Sequence, residues 1–216
     1  MMRVVARLAA LAVLAGAVAC SKDSTSPGGG SVLGSYYGVF GASDGSTSVG
    51  GSLIIVLSGG AASGTLTPVG AAAIPLAGTY DAGSGGVTVS GSGHTLIGTI
   101  SGETLDGTYA GPGGRLGSFG THHGASSSDV KLFCGSYTGA SSGVWNLAMT
   151  GNSLIGAYAD DGGGSAQLTG SVTGSTLSIT FSGGTAAGTL TTATAMTGTW
   201  TAGVNSGTWT GASPCP

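Results

Sequence analysis

The sequence predicts an all-β protein folded as an antiparallel meander, and three observations lead to that fold class. Apolar and hydroxyl side chains alternate in short segments such as residues 177–181, which is the period of a strand with one buried face. The 46 glycines punctuate these segments rather than forming low-complexity tracts, as expected of tight turns. Outside the first 19 residues, no stretch has a convincing helical period.

A recurring pattern, apolar-x-Gly-x-apolar, predicts that the strands coil into small closed barrels. Its glycine shares a face with two large side chains, which leaves room for a neighbour and lets the strand coil sharply. The central glycines are unevenly spaced, which favours hairpins over the rival parallel β-solenoid. The pattern occurs at residues 76–80, 96–100, 105–109, 154–158, 168–172 and 196–200.

The body of the chain is duplicated. Gly-Ser-Tyr recurs at residues 34–36 and 135–137, and about eight candidate strands follow each copy. We therefore predict two tandem up-and-down β-barrels, module 1 over residues 32–120 and module 2 over residues 132–216. Residues 121–131, rich in Ser and His, form the predicted linker. The alternative is one larger sandwich or barrel that uses strands from both halves.

One predicted strand, residues 53–57, is apolar at every position. Strands buried on a single face alternate between apolar and polar side chains, and this one does not. We expect it to be covered on both faces or to lie at an interface between the modules.

The N-terminus carries an export signal. Arg3 and Arg7 both precede an unbroken apolar run over residues 8–19. This run is too short to span a bilayer, which needs about 20 apolar residues. Residues 1–19 are therefore predicted to be a cleaved signal peptide.

Small residues at positions 17–19 lead directly into Cys20 and are similar to the lipobox of bacterial lipoproteins, although Ala17 stands where that family most often has Leu. The resemblance implies that Cys20 is acylated and anchors the protein to a membrane of the bacterial cell envelope. Ser21 resembles the outer-membrane sorting signal of some enteric bacteria, which favours the outer membrane or cell surface. The alternative is plain secretion after an A-x-A site. Residues 20–31 would be a flexible tether.

The cysteine count agrees with this reading. An exported chain meets an oxidising compartment, so Cys134 and Cys215 are expected to pair and leave Cys20 for the lipid. The two paired cysteines sit at the start of the first strand and just after the last strand of module 2. Their pairing therefore favours a closed sheet.

Charge excludes two classes of partner. After signal removal, Lys22, Arg115 and Lys131 stand against eight acidic residues, a net charge of −5. No basic patch can be built from three scattered cations, so we expect neither nucleic-acid binding nor recognition of anionic lipids by charge.

In outline, module 2 resembles the small barrels of the avidin and lipocalin type, with an opening Gly-x-Tyr at residues 135–137 and a closing strand at residues 207–211. The resemblance implies architecture alone, and no ligand residue is carried over. Trp145, Trp200 and Trp209 belong to the inward set. They are predicted either to form core or to line a barrel mouth that holds a small apolar ligand.

The sequence offers weak signals for catalysis. Residues 139–143 fit the G-x-S-x-G form around Ser141, but that nucleophile elbow needs a following helix, so a hairpin turn is favoured. Glu103 and Asp106 flank a tight turn and lack a buried carboxylate partner for acid–base work. We predict no enzymatic activity.

Metal and cofactor sites are also not expected. Adjacent His122 and His123 should point in opposite directions, and His94 adds no ligand at metal-binding spacing. Asp160 and Asp161 precede three glycines and are predicted to form a hairpin turn, since the alternating acids of a calcium loop are missing.

A further set of threonines, Thr197, Thr199, Thr201, Thr208 and Thr210, should form an outward hydroxyl array on two adjacent strands. Such a plane could match ice or carbohydrate. Threonine is also a good exposed strand residue, which is the favoured interpretation.

Together these features predict a non-enzymatic, membrane-anchored envelope lipoprotein whose β-barrels bind a partner or play a structural part. The alternative is a carrier of a small apolar ligand in a barrel lined by the three tryptophans. An envelope hydrolase that uses Ser141 is the third hypothesis.

Overall fold

The computed structural model describes residues 33–215. The predicted signal peptide, the acylation site at Cys20 and the whole predicted tether lie outside the described residues. No helix within the described part of the chain is long and apolar enough to cross a bilayer.

The described residues form two closed antiparallel barrels of eight strands each, as predicted. Barrel 1 closes where β1 pairs with β8, and barrel 2 closes where β9 pairs with both β10 and β16. A single turn of 3₁₀ helix, Pro112–Gly114, precedes β8. The strands of barrel 1 are β1 (Gly34–Ser43), β2 (Ser48–Ser58), β3 (Ala61–Pro68), β4 (Ile74–Asp81), β5 (Gly86–Gly91), β6 (His94–Ser101), β7 (Thr104–Gly111) and β8 (Arg115–Gly124). Those of barrel 2 are β9 (Lys131–Gly139), β10 (Gly143–Thr150), β11 (Ser153–Asp160), β12 (Ser165–Thr173), β13 (Thr176–Phe181), β14 (Gly184–Thr192), β15 (Ala195–Ala202) and β16 (Asn205–Ala212).

Two-residue turns set the register of several hairpins. Thr150 pairs with Ser153 across Gly151, whose φ is +52°, and Thr173 pairs with Thr176 across Gly174, whose φ is +62°. Glycine adopts positive φ without steric cost, and tight hairpin turns of this kind match the twist of the flanking strands.

The repeated apolar-x-Gly-x-apolar segments face inward, as predicted, and their large residues belong to the two barrel cores. In barrel 2, Gly198 pairs with Gly188, and both lie beneath the ring of Trp209. A Cβ at Gly198 would lie only 2.7 Å from Cε2 of Trp209. The central glycine therefore makes space for a neighbouring ring.

Side chains fill the interior of both barrels. Tyr36, Phe40, Leu53 and Phe119 are fully buried in barrel 1. Phe133, Leu147 and Trp209 fill barrel 2, each at most 1 % exposed. Neither interior is an open lumen like that of a barrel that encloses a large ligand.

The two barrels pack side by side through β1, β2 and β8 of barrel 1 and β10 and β11 of barrel 2. Asn146, which is 1 % exposed, donates from Nδ2 to the carbonyl oxygen of Phe40 at 2.8 Å. A Cβ at Gly41 would lie 3.2 Å from the carbonyl carbon of Tyr158, so the two backbones approach closely there. Ala148 and Ile155 add a small apolar cluster at this interface.

The linker is shorter than predicted. Strand β8 continues to Gly124 because it pairs with β1 and with β7, and these pairings include His122 and His123. Residues 121–124 are therefore strand, and His122 is buried at 2 % exposure instead of lying in a solvated linker.

Strand β2, which contains the apolar segment at residues 53–57, lies at the interface between the two modules, one of the two predicted alternatives, but its outer face is not covered along its whole length. Leu53, Ile55 and Leu57 point into barrel 1 and are buried. On the outer face Val56 is 37 % exposed, because barrel 2 approaches β2 at its beginning, near Gly50.

Acidification should lower the free energy of unfolding of the protein through His122. Burial lowers the pKa of this imidazole below its ordinary value of 6.5, an effect that the backbone of Ala148 and Ser153 in barrel 2 opposes. The unfolded chain therefore binds more protons below that value, and the free energy of unfolding should fall as the pH drops from 7 towards 5. His94, whose pKa burial also lowers, acts in the same direction.

Urea denaturation of the wild-type protein and of His122→Gln across this pH range measures the effect. His122→Gln should flatten the acid slope more than His123→Gln, which alters the neighbouring histidine on the opposite face of the same strand. Equal slopes in the wild type and His122→Gln would contradict the prediction.

The predicted disulfide is confirmed. Cys134 on β9 is bonded to Cys215, three residues beyond β16, with a Cα–Cα distance of 4.9 Å. Cys134 also pairs with Ala212 in the strand ladder that closes the barrel. The covalent bond therefore fastens the first strand of barrel 2 to its last.

Candidate ligand-binding site

A cavity of about 180 Å³ opens at the end of barrel 2 where the β9–β10, β11–β12, β13–β14 and β15–β16 hairpins turn. Five aromatic rings and one carboxylate dominate its lining. They are Tyr137, Trp145, Tyr158, Phe181, Trp200 and Asp160. We call this set the aromatic cavity.

The rings of the aromatic cavity stand at steep angles to one another. The plane of Tyr137 makes angles of 88° with Tyr158 and 89° with Trp200, at centroid distances of 5.9 and 5.8 Å. Phe181 is turned by 88° from Trp145 at 5.9 Å. The cavity is thus bordered by ring faces and edges in several orientations instead of one flat stack.

The indole N–H of Trp145 is a buried donor that forms no hydrogen bond within residues 33–215. The other two indoles differ. Trp200 donates to the carbonyl oxygen of Thr138, and Trp209 donates to that of Thr199, both at 3.2 Å. A buried donor without an acceptor costs about 1–3 kcal/mol, and this nitrogen is too deeply buried for a ligand in the cavity to reach it.

Asp160 places a carboxylate at the rim of the aromatic cavity. Tyr137 donates its hydroxyl proton to Oδ2 at 2.9 Å, and the backbone N–H of Gly162 donates to Oδ1 at 2.6 Å. Among the described residues, the ion pairs within 4 Å involve Asp44 and Glu103 and not this carboxylate. Its negative charge is therefore held by hydrogen bonds and is not compensated by a neighbouring cation.

The tyrosines of the cavity stay neutral at ordinary pH. Burial is the main cause that raises the pKa of Tyr137, and the hydrogen bond to Asp160 adds to it, while the Ser141 hydroxyl acts in the opposite direction. Burial also raises the pKa of Tyr158, with a further contribution from Asp160. Tyr137 thus remains a hydrogen-bond donor to the carboxylate.

Barrel 1 holds the β11–β12 loop, which directly follows Asp160. The next residue, Asp161, accepts hydrogen bonds at Oδ1 from the backbone N–H and hydroxyl of Ser48, at 2.9 and 2.6 Å. Its Oδ2 accepts from Ser142 at 2.8 Å. Hydrogen bonds from both serines lower the pKa of Asp161, so it stays ionised. One side of the cavity rim is therefore fixed to the neighbouring barrel.

Two of the three predicted tryptophans, Trp145 and Trp200, line the aromatic cavity. Trp209 is 1 % exposed and lies stacked on Trp145, with centroids 5.4 Å apart and planes at 18°, so it supports the lining from behind.

The sequence interpretation missed Asp160 as a site residue. On β11 it continues the inward set of Leu154, Gly156 and Tyr158, which was the signal that could have revealed it. A hairpin turn does follow it, as predicted.

Ser141 lies at the cavity in the β9–β10 hairpin, and a strand follows it instead of the helix of a nucleophile elbow. The described histidines all belong to barrel 1. His94 contacts the Tyr109 hydroxyl, His122 faces barrel 2, and His123 lies 3.3 Å from Glu103. Within residues 33–215, no three His, Cys, Asp or Glu side chains are grouped to hold a metal ion.

The outward threonines form the expected array. Thr197 pairs with Thr210 and Thr199 with Thr208, and all four are exposed. Hydroxyls also meet across strands, as between Thr138 and Thr208 at 3.3 Å. The chain has no charged residue after Asp161, so this face of barrel 2 is covered by neutral hydroxyl groups.

The fold and the site define a tandem eight-stranded β-barrel protein with one aromatic cavity at the end of its second barrel. No family model matches the chain, and no curated protein matches it either.

Proposed function

We propose that this protein is a non-enzymatic lipoprotein of the bacterial cell envelope that binds a small molecule in the aromatic cavity of barrel 2. The lipobox-like segment before Cys20 supports the location. The observation that carries the binding function is the ring-lined cavity with the carboxylate of Asp160 at its rim.

The size of the cavity limits the ligand. Its 180 Å³ corresponds to about six times the volume of a liquid water molecule, so the bound molecule or group is small. Because side chains fill the rest of both barrels, the ligand is held at the mouth of barrel 2 and not in a deep lumen. This argues against a carrier that encloses a large lipid.

A non-enzymatic role is supported by the surroundings of Ser141. It lies in a hairpin turn, and the described histidines that could activate a serine belong to the other barrel.

Filling the cavity should abolish binding. Ala202 lines the cavity at the end of β15, so the ring of Ala202→Phe would occupy the space of the ligand. The matched control is Ala187→Phe, because Ala187 is an exposed alanine on the adjacent strand β14.

The measurement uses the full chain in nonionic detergent and the neutral carbon isostere of choline, in which a tert-butyl group replaces the trimethylammonium group. Binding is followed by tryptophan fluorescence and by native mass spectrometry. The wild type and Ala187→Phe should bind this probe, whereas Ala202→Phe should not. Equal binding by Ala202→Phe would place the ligand elsewhere and overturn the proposal.

A further inference from the structure

The aromatic cavity combines five rings with one carboxylate and has no basic side chain in its lining. We propose that its ligand is a small quaternary ammonium compound, such as choline. This inference rests on the proposed binding function and adds the chemical class of the ligand.

The rings provide the first argument. The faces of Trp, Tyr and Phe are negative because of the ring quadrupole, and they attract cations, most strongly when the cation is desolvated. A trimethylammonium group offers an apolar surface with a diffuse positive charge, so it suits a ring-lined cavity better than a strongly hydrated primary ammonium. The near-perpendicular planes of Tyr137, Tyr158 and Trp200 offer ring surfaces on more than one side of such a rounded group.

The carboxylate provides the second argument. Asp160 accepts hydrogen bonds from Tyr137 and Gly162 but has no cation within 4 Å in the described part of the chain. Arg115, one of the two described basic residues, is paired with Asp44 at 2.8 Å. The other, Lys131, begins β9, whereas Tyr137 lies near the other end of that strand. A bound cation would therefore neutralise the negative charge of Asp160, which has no cationic partner among the described residues.

The overall charge acts in the same direction. Residues 33–215 contain two basic and seven acidic side chains, so their formal charge is −5 with neutral histidines. This field attracts small cations and repels anions.

The first test compares two probes on the full wild-type chain by isothermal titration calorimetry. Choline should bind at least tenfold more tightly than its neutral carbon isostere, as cation–π attraction and the Asp160 charge predict. Equal binding of choline and the isostere would refute the ligand class but leave the binding function standing, whereas no binding of either probe would refute both.

Variants locate the effect. Asp160→Asn should weaken choline binding at least tenfold and leave the affinity for the neutral isostere within about twofold. Its matched control is Asp81→Asn, which makes the same change in an exposed turn of barrel 1. Phe181→Leu keeps an apolar side chain but removes a ring, and it should reduce choline affinity several-fold. Wild-type affinity for choline in both Asp160→Asn and Phe181→Leu would overturn the proposal.

The trimethylammonium group occurs both in free choline and in the phosphocholine headgroups of lipids. Glycerophosphocholine, the lipid headgroup without its acyl chains, separates these sources because it stays in solution. Tighter binding than that of choline supports a lipid headgroup as the ligand, and weaker binding supports a free ammonium compound.

Discussion

Replacing both Cys134 and Cys215 by alanine is expected to lower the free energy of unfolding of barrel 2 by about 4 kcal/mol. The disulfide joins residues 81 positions apart, and a cross-link over a loop of this length restricts the unfolded chain strongly. For a domain of this size, the loss corresponds to a fall in Tm of roughly 16–32 °C.

Tryptophan fluorescence can follow this change in barrel 2 alone, because Trp145, Trp200 and Trp209 all belong to that barrel. Reduction of the wild-type disulfide should have the same effect as the double substitution. Hydrogen exchange of backbone amides in barrel 1, which contains no cysteine, serves as the internal reference. A double variant that unfolds at the wild-type temperature would show that the disulfide does not stabilise closure.

The second large effect is expected for Gly198→Val, which should destabilise barrel 2 by about 3 kcal/mol or more. The Cβ of the new side chain would lie 2.7 Å from the Trp209 ring and closer still to the carbonyl oxygen of Ala187 on β14. Both contacts are with tightly packed atoms, so the strand or the ring must move.

The matched control is Thr199→Val, which introduces the same side chain at the neighbouring, exposed position of β15. It should change stability by less than about 0.5 kcal/mol. Urea denaturation followed by tryptophan fluorescence compares the two variants. A Gly198→Val protein within 1 kcal/mol of the wild type would mean that the ring of Trp209 can move aside at little cost.

Much of the fold could be predicted because strand alternation and inward glycines are local signals. A glycine between two large apolar residues, as at Gly198, indicates a strand that passes close to its neighbours. The pairing of Cys134 with Cys215 followed from the count of cysteines in an exported chain. These signals are present within a few residues and do not depend on how the barrels meet.

The packing between the barrels could not be predicted. Gly41 lies at the interface because backbone meets backbone there, but in sequence it looks like any turn glycine. The burial of His122 could not be predicted for a related reason, because it depends on the approach of barrel 2 to β8. Neither contact produces a periodic pattern in the sequence.

The candidate site was predicted in part. Trp145 and Trp200 were recognised because large aromatic residues in an inward set must either fill a barrel or line its mouth. The inward position of Asp160 on β11 could be read from the sequence, but its place near Tyr137 and Phe181 could not, because these residues lie on separate hairpins that meet only in the fold. Spatial convergence of separate hairpins leaves no mark in the local sequence.

The loop contact between Asp161 and Ser48 also determines the direction from which a ligand arrives. Ser48 follows the far end of β1, whereas the chain enters barrel 1 at Gly34, nine residues before the end of that strand. At about 3.3 Å per residue, the two ends of β1 are roughly 30 Å apart. On the proposed attachment at Cys20, the aromatic cavity therefore opens beside the end of barrel 1 that is remote from the tether. If the protein is attached in this way, a ligand could reach the cavity without passing the end at which the chain enters barrel 1.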